Sequence, residues 1–126
     1  MRIEHVAIWV RDLEGMKSFY EKYFDAQAGE LYHNPTRQFS SYFLSFKEGC
    51  RLELMHQPDI RESYADKTIG ITHIAIALGT KQHVDLLTEQ LRQDGHTVLG
   101  EPRTTGDGYY ESVILDPEKN RIELTV

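Results

Sequence analysis

The sequence predicts an α+β protein made of two tandem modules, each with the element order strand, helix, strand, strand, strand. The first observation is a repeat, in which Ile3-Glu4-His5-Val6-Ala7-Ile8 matches Ile71-Thr72-His73-Ile74-Ala75-Ile76. The second is a later match between Arg51-Leu52-Glu53-Leu54 and Arg121-Ile122-Glu123-Leu124. The two matches are offset by 68 and 70 residues, so one loop changes length within a duplicated unit.

In module 1, residues 1–57, a helix follows the opening strand. Asp12 is a suitable N-cap, and the apolar residues after it recur at steps of three and four. These apolar residues are Leu13, Met16, Tyr20, Tyr23 and Phe24. Turn residues then separate three extended segments, which we place at residues 27–34, 39–47 and 51–57.

Module 2, residues 71–126, repeats this order. Thr80 stands seven residues after His73, at the place that Asp12 has in module 1, and it begins a helix that Gly95 ends. The apolar face of that helix contains Val84, Leu87 and Leu91. Extended segments follow at residues 97–104, 109–116 and 121–126. The polar segment 58–70 is then the linker between the modules.

Length and composition limit the class of protein. A chain of 126 residues with 40% hydrophobic and 27% charged residues predicts one globular domain over 1–126. A net charge of −6 without a Lys/Arg cluster argues against nucleic acid as a partner. The apolar runs are far shorter than the about 20 residues of a transmembrane helix, and no signal segment is visible. We expect a cytoplasmic protein with no membrane partner. The single cysteine, Cys50, excludes an internal disulfide and a thiolate metal cluster.

One face of each module carries a histidine and a glutamate. Side chains alternate across a strand, so His5 and Ala7 share a face, and the branched residues between them point to the helix. Glu53 likewise points away from the two leucines that flank it. His73 and Glu123 have the equivalent positions in module 2.

The doubled pattern favours a metal site. A lone histidine on a strand is more often a hydrogen-bonded core residue, and a lone glutamate on an edge strand is more often solvated, but here both occur twice and in register. Two buried carboxylates are unfavourable unless they are protonated, paired or bound to a cation, and two imidazoles with two carboxylates balance a divalent ion. Nitrogen and oxygen ligands suit zinc, nickel, cobalt, iron(II) or manganese, and the sequence does not distinguish them.

With these residues the chain resembles the vicinal oxygen chelate superfamily, which includes glyoxalase I, bleomycin resistance proteins and extradiol dioxygenases. The resemblance covers the whole chain. It rests on the two histidine strands, on Phe19-Tyr20 in the first helix, and on the turn and strand from Asp116-Pro117 to Glu123-Leu124. It implies two βαβββ modules that form a cupped, incomplete barrel around one metal site, and a homodimer whose sites draw ligands from one chain or from two.

The resemblance also implies roles for single residues. His5, Glu53, His73 and Glu123 match the four-ligand pattern of the glyoxalase I-like branch. That branch contains metal-dependent lyases and isomerases that act on small substrates with vicinal oxygens through an enediolate. Glu123 is then our choice for the catalytic base, with Glu53 as the other candidate. Glutathione-using members tend to carry an arginine where this chain has Trp9, so we do not expect glutathione dependence.

Further residues are candidates for substrate contacts. Trp9 shares the face of His5, where it lines the substrate pocket or fills the barrel. Arg103, Tyr109 and Tyr110 flank the turn at 106–108, where they hold a polar or anionic substrate group or form an ordinary hairpin.

Two other functions compete with the enzyme hypothesis. One is a binding protein that sequesters a small toxic compound without chemistry, as bleomycin resistance proteins do. The other is a ring-cleaving dioxygenase. The four-ligand pattern argues against both, because a binder has no need of all four ligands and Glu53 would occupy a position that a dioxygenase needs for oxygen or substrate.

Overall fold

The computed structural model describes residues 1–61, 69–106 and 108–126. The chain divides into two compact units, Met1–Tyr64 and Ala65–Val126. Part of the segment that we assigned as the linker, 58–70, lies outside the described residues, as does Asp107 of the 106–108 turn. Each unit has one helix and one mixed sheet in its described part, which confirms the predicted α+β class with two βαβββ-like modules.

Unit 1 pairs its first strand with its last. Its elements are β1 (His5–Trp9), α1 (Leu13–Phe24), β2 (Gln27–Ala28), β3 (Tyr32–Asn34), β4 (Phe39–Ser45) and β5 (Arg51–His56). The sheet order is β1-β5-β4-β2, and β3 also pairs with β4. Of the strand pairs described in unit 1, β1–β5 is parallel and the others are antiparallel. A parallel pair needs a crossover connection, and α1 returns the chain to the end of the sheet where β1 began.

The segment 27–34, which we predicted as one strand, forms the two short strands β2 and β3. Both pair with β4, where Ala28 lies opposite Leu44 and Tyr32 lies opposite Ser41. From Ala28 to Tyr32 the chain advances four residues, while from Leu44 to Ser41 it advances three. The one extra residue interrupts the strand in the way that a β-bulge does.

Unit 2 has the same plan with an unbroken second strand. Its elements are β6 (Ile74–Ala77), α2 (Lys81–Gln93), β7 (Val98–Thr104), β8 (Tyr110–Leu115) and β9 (Arg121–Thr125). The sheet order is β6-β9-β8-β7, with β6 and β9 parallel. In each sheet, the strand at the histidine, β1 or β6, therefore pairs with the strand that carries the glutamate, β5 or β9.

Local chemistry sets the ends of both helices. The side chain of Asp12 accepts a hydrogen bond from the Gly15 amide at 2.9 Å, and Thr80 accepts one from the His83 amide at 3.1 Å. Gly95 has φ +88° after the end of α2, and its amide donates to the Arg92 carbonyl. The predicted caps at Asp12, Thr80 and Gly95 are confirmed.

Each sheet packs one face on its own helix. The buried residues of this face include Leu52 and Leu54 in unit 1, and Ile122 and Leu124 in unit 2. They alternate with the predicted glutamates, so each glutamate lies on the face that the helix does not cover. None of the helices in the described ranges is long and apolar enough to cross a membrane.

Candidate functional site

The sheet register of unit 1 brings His5 and Glu53 together. Glu53 lies directly opposite Ala7, two residues after His5, on the uncovered face. The distance from His5 Nε2 to Glu53 Oε2 is 3.8 Å. The histidine side chain is partly exposed, whereas the glutamate side chain is only 13% exposed.

Unit 2 builds an equivalent pair. His73 comes immediately before β6, and Glu123 lies opposite Ala75. The distance from His73 Nε2 to Glu123 Oε2 is 3.3 Å, and the Glu123 side chain is 19% exposed. The repeated residues therefore form two similar His–Glu pairs, one in each unit.

The two separations can be compared with the spacing of two ligands on one metal ion. Two ligand atoms about 2.1 Å from a metal are about 3.0 Å apart at right angles and about 3.4 Å apart at the tetrahedral angle. The His73–Glu123 separation falls in this range, and the His5–Glu53 separation exceeds it by a few tenths of an ångström. Both exceed the usual length of a hydrogen bond from nitrogen to oxygen, about 2.7–3.2 Å. Across the described ranges, no group of three or more His, Cys, Asp or Glu side chains has metal-binding geometry.

Glu4 contacts His5 on the side opposite Glu53. Its Oε2 lies 2.5 Å from His5 Nδ1, and its Oε1 accepts a hydrogen bond from Arg51 Nε at 2.8 Å and contacts a second guanidinium nitrogen. These contacts with His5 and Arg51 hold the pKa of Glu4 below its usual value, because both stabilise the carboxylate. Glu4 is not among the residues predicted from the sequence, although it is the neighbour of His5 in the chain.

Trp9 lies on the same face and belongs to a group of aromatic side chains. Its ring packs edge-on against Phe39 with centroids 6.2 Å apart, and Phe39 also contacts Tyr32. Trp9 and Tyr32 are both exposed. Trp9 could be predicted from the sequence, but Phe39 and Tyr32 could not, because their positions depend on how β3 and β4 pair.

Arg103 lies opposite Glu111 on the same face of the unit 2 sheet as Glu123. It donates a hydrogen bond of 3.2 Å to Glu111 but keeps about half of its side chain exposed, 53%. Tyr109 is exposed beside the turn. Tyr110 instead lies on the helix side of β8, where its hydroxyl donates to Asp85 at 2.6 Å. Of these three residues, the structure places Arg103 on the glutamate face and Tyr110 away from it.

Comparisons with known proteins agree with this fold. The model of the Glyoxalase/Bleomycin resistance protein/Dioxygenase superfamily matches residues 2–124. Glyoxalase I from Zea mays is 23% identical with a TM-score of 0.80, over 98% of this chain and 44% of that one. The trypanothione-dependent glyoxalase I of Leishmania major is 23% identical with a TM-score of 0.79, over 99% and 86% of the two chains.

A glyoxylase/bleomycin resistance protein/dioxygenase domain from Frankia sp. has a TM-score of 0.85 at 16% identity, over 100% of this chain and 97% of that one. At such identities the likeness to solved structures shows the fold alone. The chain spans less than half of the maize chain. A comparison with curated protein sequences gives no significant match.

Proposed function

Because the chain belongs to the glyoxalase/bleomycin resistance protein/dioxygenase superfamily, we propose that it is a metal-dependent lyase or isomerase. Its substrate is a small molecule with two adjacent oxygens, such as an α-hydroxycarbonyl adduct or a 2-substituted acyl thioester. The observation that carries the proposal is the His–Glu pair in each unit. The His73–Glu123 pair is spaced like two ligands of one ion, and the His5–Glu53 pair is a few tenths of an ångström wider.

The proposed ligands are His5, Glu53, His73 and Glu123, which together hold one divalent ion. The two pairs come from one chain or from two. Their charge supports this assignment, because two neutral imidazoles and two carboxylates compensate a charge of +2. Zinc, nickel, cobalt, iron(II) and manganese all accept nitrogen and carboxylate ligands of this kind. A bound divalent ion supplies Lewis acidity, which favours loss of a proton beside a carbonyl and stabilises the enediolate that results.

The carboxylates of the site are the proposed bases. A base must lie within hydrogen-bond reach of the substrate carbon's proton, and a carboxylate that binds the substrate's metal is close enough once it is displaced. We assign this role to Glu123, since Arg103 lies on its face of the sheet and has an exposed side chain. Glu53 then acts as a ligand that stays in place.

The surroundings of the pairs supply the substrate contacts that we propose. The aromatic group of Trp9, Phe39 and Tyr32 borders the His5 face and suits an apolar part of the substrate. Arg103, with Tyr109 nearby in sequence, is the candidate for holding an anionic part.

Metal analysis tests the proposal directly. The purified protein is expected to hold about one divalent ion per chain after incubation with zinc, nickel, cobalt, iron(II) or manganese. His5→Ala and His73→Ala should each lose most of it, whereas His83→Ala, at an exposed position in the first turn of α2, should retain it. An absence of bound metal after all five incubations would refute the enzyme hypothesis and favour a metal-free binding protein.

A further inference from the structure

We propose that Glu4, held by Arg51, is a positioning residue that fixes the orientation and tautomer of His5. The inference rests on the proposed function for its relevance to metal binding. Its structural basis is independent of that function, because it is the set of contacts around the His5 ring. These contacts distinguish His5 from His73, although the two histidines have equivalent positions in the repeat.

The contact between Glu4 and His5 determines which ring nitrogen carries the proton. An ionised carboxylate only accepts hydrogen bonds, so Nδ1 of His5 must donate to Glu4 Oε2 across the 2.5 Å that separates them. In the neutral ring, Nε2 then has a free electron pair. That nitrogen is the one that faces Glu53. Glu4 therefore leaves the metal-binding nitrogen of His5 ready to act as a ligand.

Arg51 keeps the Glu4 carboxylate in this position. The guanidinium group engages Oε1 through two nitrogens, while Oε2 remains for His5. The two residues are also joined through the backbone, because the Arg51 amide donates to the Glu4 carbonyl at 3.0 Å. A carboxylate held by a planar guanidinium loses less freedom when it orients a third group than a solvated carboxylate would.

Phe43 completes the support. The His5 and Phe43 rings are nearly perpendicular, with centroids 5.2 Å apart. The Arg51 guanidinium lies over the Phe43 ring, 4.1 Å from its centroid. Phe43 is also the residue opposite Glu53 in the sheet, so it lies beside both residues of the His5–Glu53 pair. The His5 ring is thus held both at Nδ1 and by its contact with the Phe43 ring.

Module 2 has different residues at the equivalent places. Thr72 corresponds to Glu4, and Val113 lies opposite Glu123 where Phe43 lies opposite Glu53. A threonine has no carboxylate to accept the proton of Nδ1 as Glu4 does. We infer that His5 is the ligand that is oriented before the ion binds, and that His73 becomes oriented on binding.

The test uses three variants of the full chain: Glu4→Ala, Glu4→Gln and, as the matched control in module 2, Thr72→Ala. The ring nitrogens of the metal-free proteins are observed by ¹⁵N NMR above the pH at which histidine is protonated, and the His5 signals are assigned from their loss in His5→Gln. The affinities for Zn²⁺ and Ni²⁺ alone are measured by competition with a chelator. Thermal unfolding is followed in parallel.

The parent is expected to show His5 with the proton on Nδ1. Glu4→Ala should lose this single tautomer and bind both metals about 10- to 100-fold more weakly, the usual effect of removing a group that orients a ligand. Glu4→Gln keeps an accepting oxygen and should retain the tautomer with a smaller loss of affinity. Thr72→Ala should match the parent in both measurements.

Two results would overturn the proposal. One is an unchanged His5 tautomer in Glu4→Ala, including the case in which that variant only unfolds at a lower temperature. The other is a changed tautomer with unchanged metal affinity, which would make Glu4 irrelevant to ligand binding. A parent that binds neither metal, nor cobalt, iron(II) or manganese, would refute the proposed function instead, and the NMR spectra would still decide whether Glu4 fixes the ring.

Discussion

Glu53 and Glu123 are equivalent in the repeat but have different neighbours. Glu53 lies opposite Phe43, which also packs against His5 and Arg51. Glu123 lies opposite the smaller Val113, and Arg103 is exposed on the same face. An exposed cation on the same face can stabilise a carboxylate that leaves a metal ion, which an aromatic ring cannot do. This difference supports Glu123 as the glutamate that moves and accepts the proton.

We predict that Glu123→Gln lowers kcat about 100-fold or more while it retains part of the metal. Glutamine keeps the shape and one ligating oxygen but removes the basicity, and loss of a general base costs about 10²–10⁴ in rate. The measurement is exchange of deuterium from solvent into the substrate carbon, with a substrate found by screening adducts that have vicinal oxygens.

Glu53→Gln is the matched control for that substitution. It changes the equivalent ligand in unit 1 and should reduce exchange by a smaller factor. Faster exchange in Glu123→Gln than in Glu53→Gln would reverse the two assignments, and parental rates in both variants would show that the carboxylates have only a structural role.

A second prediction at this scale concerns Trp9. An indole cannot form an ion pair with a carboxylate of glutathione as an arginine would, and here it packs against Phe39. Turnover of the hemithioacetal of methylglyoxal and glutathione should therefore be weak or absent in the metal-loaded protein. A kcat/KM for that adduct of about 10⁴ M⁻¹s⁻¹ or higher would show that another residue binds glutathione.

The sequence predicted some residues of the candidate site better than others. His5 and Glu53 can be placed on one face by alternation along their strands, and the repeat links each histidine to its glutamate. Alternation gives no direction for Glu4, because Glu4 precedes β1 and its side chain turns toward Arg51. The aromatic neighbours of Trp9 likewise depend on the register of β3 with β4, which no local pattern specifies.

At the scale of elements, local signals predicted the helices well. Asp12 and Thr80 cap their helices because a short oxygen-bearing side chain satisfies an amide within the first turn, an interaction that needs only neighbouring residues. The break between β2 and β3 was not predicted, since it arises from an unequal count of residues along two paired strands. A single sequence contains little local information about which distant segments pair with each other.

Tyr110 links β8 to α2 and gives this pair of elements a pH dependence. Its hydroxyl donates to Asp85, and this hydrogen bond raises the pKa of Tyr110 above its usual value. The folded state thus favours the protonated phenol. The contribution of this group to stability is present in full below the unfolded pKa of about 10, and it is lost as pH rises through the higher folded pKa.

We predict that Asp85→Asn lowers the pKa of Tyr110 and removes that contribution. NMR titration of the tyrosine rings measures the pKa, and urea unfolding at neutral and alkaline pH measures the stability. The stability difference between parent and variant should shrink at the alkaline end. Tyr110→Phe is the control, because it removes the titrating group and should make the further substitution of Asp85 nearly neutral. An unchanged Tyr110 pKa in Asp85→Asn would contradict the assignment.

At the scale of the whole molecule, the repeat explains why the fold could be predicted from so little sequence. Each unit needs one helix to cover one face of its sheet, and the apolar positions for that face recur in both units, as with Leu54 and Leu124. Beside the repeated histidine and glutamate, the other face carries residues that differ between the modules, such as Phe43 and Val113. A shared core with varied uncovered faces is consistent with the same fold persisting at 16–23% identity.

The last prediction is that the protein is a homodimer. In each sheet the histidine strand is an edge strand, β1 in one and β6 in the other, and an edge strand exposes unpaired backbone groups that another chain can satisfy. Ile3 and Ile71, just before these strands, are 70% and 74% exposed. Burial of each such side chain in an interface would contribute about 1.5–3 kcal/mol.

Light scattering at micromolar concentration should therefore report twice the chain mass of 14.6 kDa. The double variant Ile3→Lys/Ile71→Lys places charges beside both edge strands and should shift the protein toward the monomer. Leu86→Lys, a similar change at an exposed position of α2 away from the edge strands, should leave the dimer intact. A parent protein that scatters as 14.6 kDa would exclude the homodimer, and a dimer disrupted only by Leu86→Lys would place its interface on α2 instead of the strand edges.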